Sequence, residues 1–236
     1  RAEFRCFESS DIALIFDDAE KARDALDTVA QLNPAYAQYF DAVLFDTARL
    51  AGKTYACYEL ACKTISPAAV IILGFDDFNA HHRAKALKRV AKQFRGQDVV
   101  MVTTDEEEGA DIVDALDVAY TTTLPDRTAD AAPALYGDFS VPAERFEDFT
   151  QAIHEIEAKE HVDLPLSGDI LRRVFQMYPQ LALSKVSDKQ KTLKLLDVIG
   201  RLVASHGGTM VAQGGEGRIK ARASYGADDA REVAMY

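Results

Sequence analysis

Five glycines fall in the eleven residues from Gly207 to Gly217, and three cations follow at alternate positions, Arg218, Lys220 and Arg222. Glycines at this density imply sharp backbone bends or close approach by a ligand or another chain segment, because a residue without Cβ adopts conformations closed to the others. Alternate residues of an extended stretch project from one face, so the three cations can converge on one anion. Arginine suits a carboxylate best, its planar fork giving two parallel charge-assisted hydrogen bonds. The same spacing equally suits cations paired with nearby acids such as Glu216, or simply solvated.

Other chemistry is sparse. The chain has no dinucleotide-binding fingerprint, P-loop, HExxH, paired CxxC or EF-hand loop, so a self-contained nucleotide or metal site is not expected. The three cysteines, Cys6, Cys57 and Cys62, match no zinc or disulfide framework and read as reduced thiols. His81 and His82 fall in the first turn of a helix, and His154 and His161 flank the end of another, which are positions for surface histidines. A formal charge of −11 argues against nucleic acid and against anionic membrane surfaces. No apolar run reaches the roughly 20 residues that span a bilayer, and no signal peptide is evident, so a cytoplasmic location is expected. The chain opens on Arg1 and ends within a stretch of helical composition, 227–236, with no stop signal, and both ends read as cut from something longer.

The elements that would position these residues alternate between strands and helices. Ile12 to Phe16 and Val70 to Phe75 read as strands, each followed by an amphipathic helix. The first helix lines up Ala22, Ala25, Leu26 and Val29. The second is N-capped by Asn79 and lines up Ala84, Leu87, Ala91 and Phe94. Between them, Tyr39 to Leu50 and Thr54 to Cys62 read as helical. Val99 to Thr103 is a third strand running into a capping box of Asp105 and Glu108. Residues 121–133, rich in Thr, Asp and Pro, mark the boundary between a first lobe, 1–120, and a second, 121–236. In the second lobe a strand near Leu135 to Val141 meets Pro142 at a first helical position, with Phe146, Phe149, Ile153 and Ile156 on one stripe. Strand follows between His161 and Tyr178. A helix then opens at Ser187 with Gln190 completing its box, buries Leu196, Ile199, Leu202 and Val203, and stops at His206-Gly207-Gly208. The fold class expected is α+β: an antiparallel sheet covered by helices, ferredoxin-like, with a split βαβ unit repeated twice.

The run from Val198 to Lys220 resembles the C-terminal segment of the FAD-linked oxidase family, which takes in D-lactate dehydrogenases, the glycolate oxidase flavoprotein subunit and D-2-hydroxyglutarate dehydrogenase. In that family a helix ends in Gly-Gly and is followed by a strand and a Gly-Glu-His-Gly-x-Gly-Arg type motif. Val141-Pro142 opening a helix and the later pair Gly168-Asp169 match the family's order, and the early strand and helix units fit its cap domain. The resemblance covers nearly the whole chain.

It implies a cap and substrate lobe of an FAD-dependent oxidoreductase acting on a small 2-hydroxy acid such as D-lactate or glycolate. FAD would be held mainly by a separate FAD-binding domain of the same protein, and the isolated segment would be inactive. Arg218, Lys220, Arg222 and Arg172 would bind the anionic substrate, with Gly214, Gly215 and Gly217 beside the cofactor. At the family's Glu-His pair this sequence has Gln213 and Gly214, and Leu166 and Arg172 or Arg173 replace the histidines expected around Gly168-Asp169. Those residues are metal ligands and a base in the family, so no metal is expected here. The acid/base group is left open between Glu216, Tyr178 and the separate domain. A different class, a non-catalytic ferredoxin-like binding or assembly module, remains the alternative.

Overall fold

Strand β1, Ser9–Phe16, buries both of its faces from Asp11 onward, which is why its sequence is a continuous apolar run rather than an alternating one. A computed structural model describes residues 8–121 and 136–213. They fall into two units, one of residues 8–121 with Asp169–Leu171 and one of 136–168 with 172–213.

In the first unit β1 leads into α1, Ala19–Gln31, whose Asp18 carboxylate accepts from Glu20 N and whose buried residues are Ala22, Ala25, Leu26 and Val29. Strand β2 is Tyr36–Asp41, followed by α2, Ala42–Leu50, and α3, Ala56–Cys62. Strand β3, Ala69–Asp76, precedes α4, Ala80–Gln93, and β4, Val99–Thr103. A short α5, Val118–Thr121, closes the unit. All three pairings are antiparallel and the strand order is β4-β1-β3-β2. That is the split βαβ order of a ferredoxin-like fold, with α2 and α3 inserted between β2 and β3.

The second unit repeats it. Strand β5, Phe139–Ser140, leads through a 3₁₀ turn into α6, Phe146–Glu160; β6, Leu166–Asp169, and β7, Val174–Met177, follow; and α7, Val186–Ser205, comes last. The order is β6-β7-β5, and Thr209 makes an isolated antiparallel bridge to Ser140 on the free side of β5. Thr209 therefore stands where a fourth strand belongs.

Several local expectations are corrected. Tyr39 to Asp41 is strand, not helix, because these residues pair in register with Ile71, Val70 and Ala69. Helix α3 begins at Ala56, where a carboxylate distant in sequence, Asp111, accepts from Ala56 N at 2.6 Å. Ala84 is exposed, and α4 instead buries Leu87, Val90 and the capping residue Phe94. After β4 there is a 3₁₀ turn, Glu107–Gly109, with no side-chain cap; Glu106, not Asp105, folds back toward Thr103 N. Pro142 caps a 3₁₀ turn rather than opening the helix. Helix α7 starts at Val186, so Ser187 lies inside it and bonds Asp188, whose carboxylate accepts from Ala182 N.

Two polar features are built into the apolar first unit. Asp11, Gly74 and Tyr36 sit side by side on β1, β3 and β2, and the Tyr36 hydroxyl crosses Gly74 to donate to Asp11 Oδ1 at 2.6 Å. A Cβ at Gly74 would collide with both the Tyr36 ring and the Asp11 carboxylate, so the buried hydrogen bond exists because that position is glycine. On α2 and α3, Phe45 stacks on Tyr58 at 4.7 Å and meets Phe40 and Tyr55 edge-on. Beside this cluster burial, assisted by the charge of Asp111, pushes the Cys57 thiol up to about 12, so it is a protonated thiol at neutral pH. Cys6 lies outside the described residues.

Replacing Gly74 by Ala is expected to destabilise the protein by about 1–3 kcal/mol through overpacking. The added cost should shrink when Tyr36→Ala is present as well, because the two changes share one contact. Denaturant unfolding of the single and double variants measures the coupling, and strict additivity would show that Tyr36 does not fill the space over Gly74.

Candidate functional site

The candidate site is built on β6, β7 and β5. Alternation along a strand sends Phe139 and Phe175 to the helix side, where Phe175 stacks on Phe146 at 4.4 Å and Phe139 packs on Phe149. The other side of the same strands is polar. Ser167 Oγ donates to Tyr178 Oη at 3.4 Å, and Tyr178 Oη donates to Gln176 Oε1 at 2.6 Å. Tyr178 is only 2% exposed, so its phenol proton is held by the Gln176 amide inside the protein. Leu166, next to Ser167 and of opposite parity, is buried on the core side of β6.

The chain reaches the glycine-rich run through a series of anchors. Helix α7 ends with Gly207 at φ +72, a left-handed cap, and with Gly208 N donating to Val203 O. His206 Nδ1 lies 2.8 Å from the Leu202 carbonyl, and its ring meets Phe149 edge-on, so this histidine closes the helix. Ser140 and Thr209 then exchange two backbone hydrogen bonds of 2.9 and 3.0 Å. A Cβ at Gly208 would strike the Ser140 carbonyl, which makes glycine a requirement of this approach. Finally Asp138, 7% exposed, accepts from Gln213 N at 2.5 Å.

Gln213 is the last described residue. Gly214, Gly215, Glu216, Gly217, Arg218, Lys220 and Arg222 lie outside the described residues. Of the two candidates that remain, Tyr178 follows the end of β7 and Arg172 lies in the exposed turn before its start. Arg172 precedes Tyr178 by six residues, with β7 between them. His81 and His82 are exposed in the first turn of α4, with His82 Nδ1 3.1 Å from Asp77. His154 is exposed and pairs with Glu157, and His161 caps α6 in a left-handed conformation. Among the described residues no group of three His, Cys, Asp or Glu is placed to hold a metal ion, and no helix is long and apolar enough to cross a membrane. Sequence reasoning missed Asp138, Ser167 and Gln176. The one available signal was that Gly137-Asp138 is a second Gly-Asp pair like Gly168-Asp169.

The family profile "FAD linked oxidases, C-terminal domain" matches residues 10–236, and the chain belongs to that family. Among solved structures it is similar to 4-ethylphenol oxidase from Gulosibacter chungangensis, with a TM-score of 0.64 at 14% identity, covering 87% of this chain and 45% of that one. It is also similar to p-cresol methylhydroxylase, with a TM-score of 0.60 at 11% identity over 86% and 45% of the two chains. For an alkyldihydroxyacetonephosphate synthase the TM-score is 0.52 at 12% identity, over 95% and 44%. At these identities the likeness is one of fold. The chain spans less than half the length of these structures. No curated protein matches it.

Family membership implies FAD, and the described residues can be tested against its parts. A diphosphate seeks helix N-termini with free N–H groups. Four of the five described helices of eight or more residues have an acidic residue at the start, Asp18 and Glu20 at α1, Asp41 at α2, Glu147 and Asp148 at α6 and Asp188 at α7, while α4 is capped by the Asn79 amide, which accepts from His81 N. Negative charge disfavours a diphosphate at the four acidic starts.

Asp138→Ala is expected to release Gln213. A hydrogen bond to a charged acceptor is worth about 1.5–3 kcal/mol, so amide exchange at Gln213 should accelerate at least tenfold, while Asp138→Asn, which keeps an acceptor oxygen, should retain much of the protection. Unchanged exchange in the alanine variant would remove Asp138 from the anchoring of the glycine-rich run.

Proposed function

We propose that this chain is the substrate-binding cap of an FAD-dependent dehydrogenase that oxidises a small anionic 2-hydroxy acid such as D-lactate or glycolate. A separate domain of the same protein holds FAD, whose flavin accepts the hydride when bound. Arg218, Lys220 and Arg222 grip the substrate carboxylate, with Gly214, Gly215 and Gly217 letting backbone and ligand approach closely. The observation that supports this reading best is the pinning of Gln213 by Asp138, one residue before the run Gly-Gly-Glu-Gly-Arg. A segment fixed at that point presents its cations from a defined origin, as orientation of a substrate demands. Arg172, in the exposed turn before β7, is the fourth cation proposed for the substrate. The proton leaves the hydroxyl through Glu216, Tyr178 or a group of the FAD-binding domain. For Tyr178 to serve, it must first give up its bond to Gln176.

The test uses the full-length protein under anaerobic conditions. Bound FAD should be bleached by D-lactate, glycolate or a related hydroxy acid. Arg218→Lys should lose about 1.5–3 kcal/mol of transition-state binding, roughly 10- to 100-fold in kcat/KM, with an unchanged melting temperature. Absence of flavin, or bleaching by a phenol such as p-cresol and by no hydroxy acid, would overturn the proposal. A variant that melts earlier yet keeps kcat/KM would make Arg218 structural.

A further inference from the structure

Strand β4 lies at the outer edge of the first unit's sheet, and no described strand pairs with its far side. Thr104 N donates to Asp11 O, which fixes the phase of the ladder: Val100 and Val102 exchange hydrogen bonds with β1, while the N–H and C=O groups of Val99, Met101 and Thr103 point outward. Local turns occupy the two ends. Val99 N donates to Gln97 O at 2.9 Å, Glu106 N donates to Thr103 O at 3.0 Å, and the Glu106 carboxylate lies 3.4 Å from Thr103 N. Met101, at the centre, keeps both of its groups for a neighbour.

Proteins ordinarily blunt such an edge with lysine, proline or a bulge. β4 reads Val-Val-Met-Val-Thr, has none of these, and pairs with β1 without interruption. Its two ends differ in charge. Beside its start Lys88, Lys92 and Arg95 line a cavity of about 530 Å³ with Phe94 and Met101. Asp98, also at this end, is paired with Lys21. Just past the other end, Asp105, Glu106, Glu107 and Glu108 are all exposed.

We propose that β4 pairs antiparallel with β4 of a second copy about a two-fold axis through Met101. The axis reverses strand direction, so the cationic start of each copy faces the acidic end of the other, and the two Met101 residues exchange N–H and C=O. A contact of this kind is isologous and closes at two copies. A parallel arrangement would set like charges against each other, and the charge order of β4 selects an antiparallel copy of itself.

The experiment is sedimentation and light scattering of the full-length protein at micromolar concentration. The wild type should be a dimer. Met101→Pro removes an outward N–H and no ladder bond to β1, and should weaken the dimer at least tenfold. Lys92→Glu with Arg95→Glu makes both ends acidic, and Glu107→Lys with Glu108→Lys makes both basic. Each of these surface variants alone should be monomeric, and mixing the two should restore a dimer. A monomeric wild type, as expected if other parts of the same chain cover the edge, overturns the proposal. So does a dimer that survives the charge changes, or a mixture of the two charge variants that stays monomeric.

Discussion

Two backbone hydrogen bonds between Ser140 and Thr209 complete the second unit, and they form only because Gly208 brings no side chain against the Ser140 carbonyl. The described chain after it, to Gln213, starts from this contact. It places Thr209 in the fourth-strand position, from which five residues suffice to bring Gln213 to Asp138. Ordering each residue costs about 1–2 kcal/mol of backbone entropy, so a functional segment that leaves a helix needs anchors close to its point of departure. Here they come in succession at Gly207, Thr209 and Gln213, and the helix end is itself held by His206.

The charge distribution follows the same economy of position. The Asp18 carboxylate satisfies a free N–H group at the start of α1, and acidic residues in the first turns of α6 and α7 favour the positive end of the macrodipole. They also remove those termini from competition for an anionic ligand. Under the proposed function the cations at 218, 220 and 222 of the sequence would supply the anion-binding groups instead. The buried polar groups of the two units behave alike in one respect: Tyr36 with Asp11, and Tyr178 with Gln176, each bind a phenol to a partner across neighbouring positions, so neither hydroxyl is buried without a bond.

Legibility from sequence tracked the range of the deciding interaction. Helix α1 was readable to its four buried residues, and β4 to both ends, because periodicity and propensity act locally. The ferredoxin-like, split βαβ class was legible, but the strand order of the first unit was not, because β2 was not read as a strand. The helix that should have started at Tyr39 was misread because β2 ends at Asp41 and α2 begins at Ala42 with no turn residues between them, so strand and helix read as one segment. The cap of α3 depends on Asp111, and the role of Asp138 depends on Gln213, 75 residues away. No local pattern encodes such pairings. The two expected capping boxes failed for a different reason: the residue types were right, but one segment became a 3₁₀ turn and the other helix began a residue earlier, so a side chain placed to cap was inside the helix instead.

The repeated topology explains why the two units diverge where they do. In a 4-1-3-2 sheet the fourth strand is one of the two edges, a position that can change without breaking a pairing on both sides. The first unit fills it with a full strand, β4, whose outward groups remain available. Among the described residues the second shows only the single bridge at Thr209 in this position. Insertion followed another permissive site, the connection between β2 and β3, where α2 and α3 bring an aromatic core of their own in Phe45, Tyr55 and Tyr58. The corresponding connection in the second unit, between β6 and β7, is the tight turn carrying Arg172 and Arg173, with Arg173 at φ +54. One fold thus serves twice, with an aromatic insertion in the first copy and a tight turn at the same connection in the second.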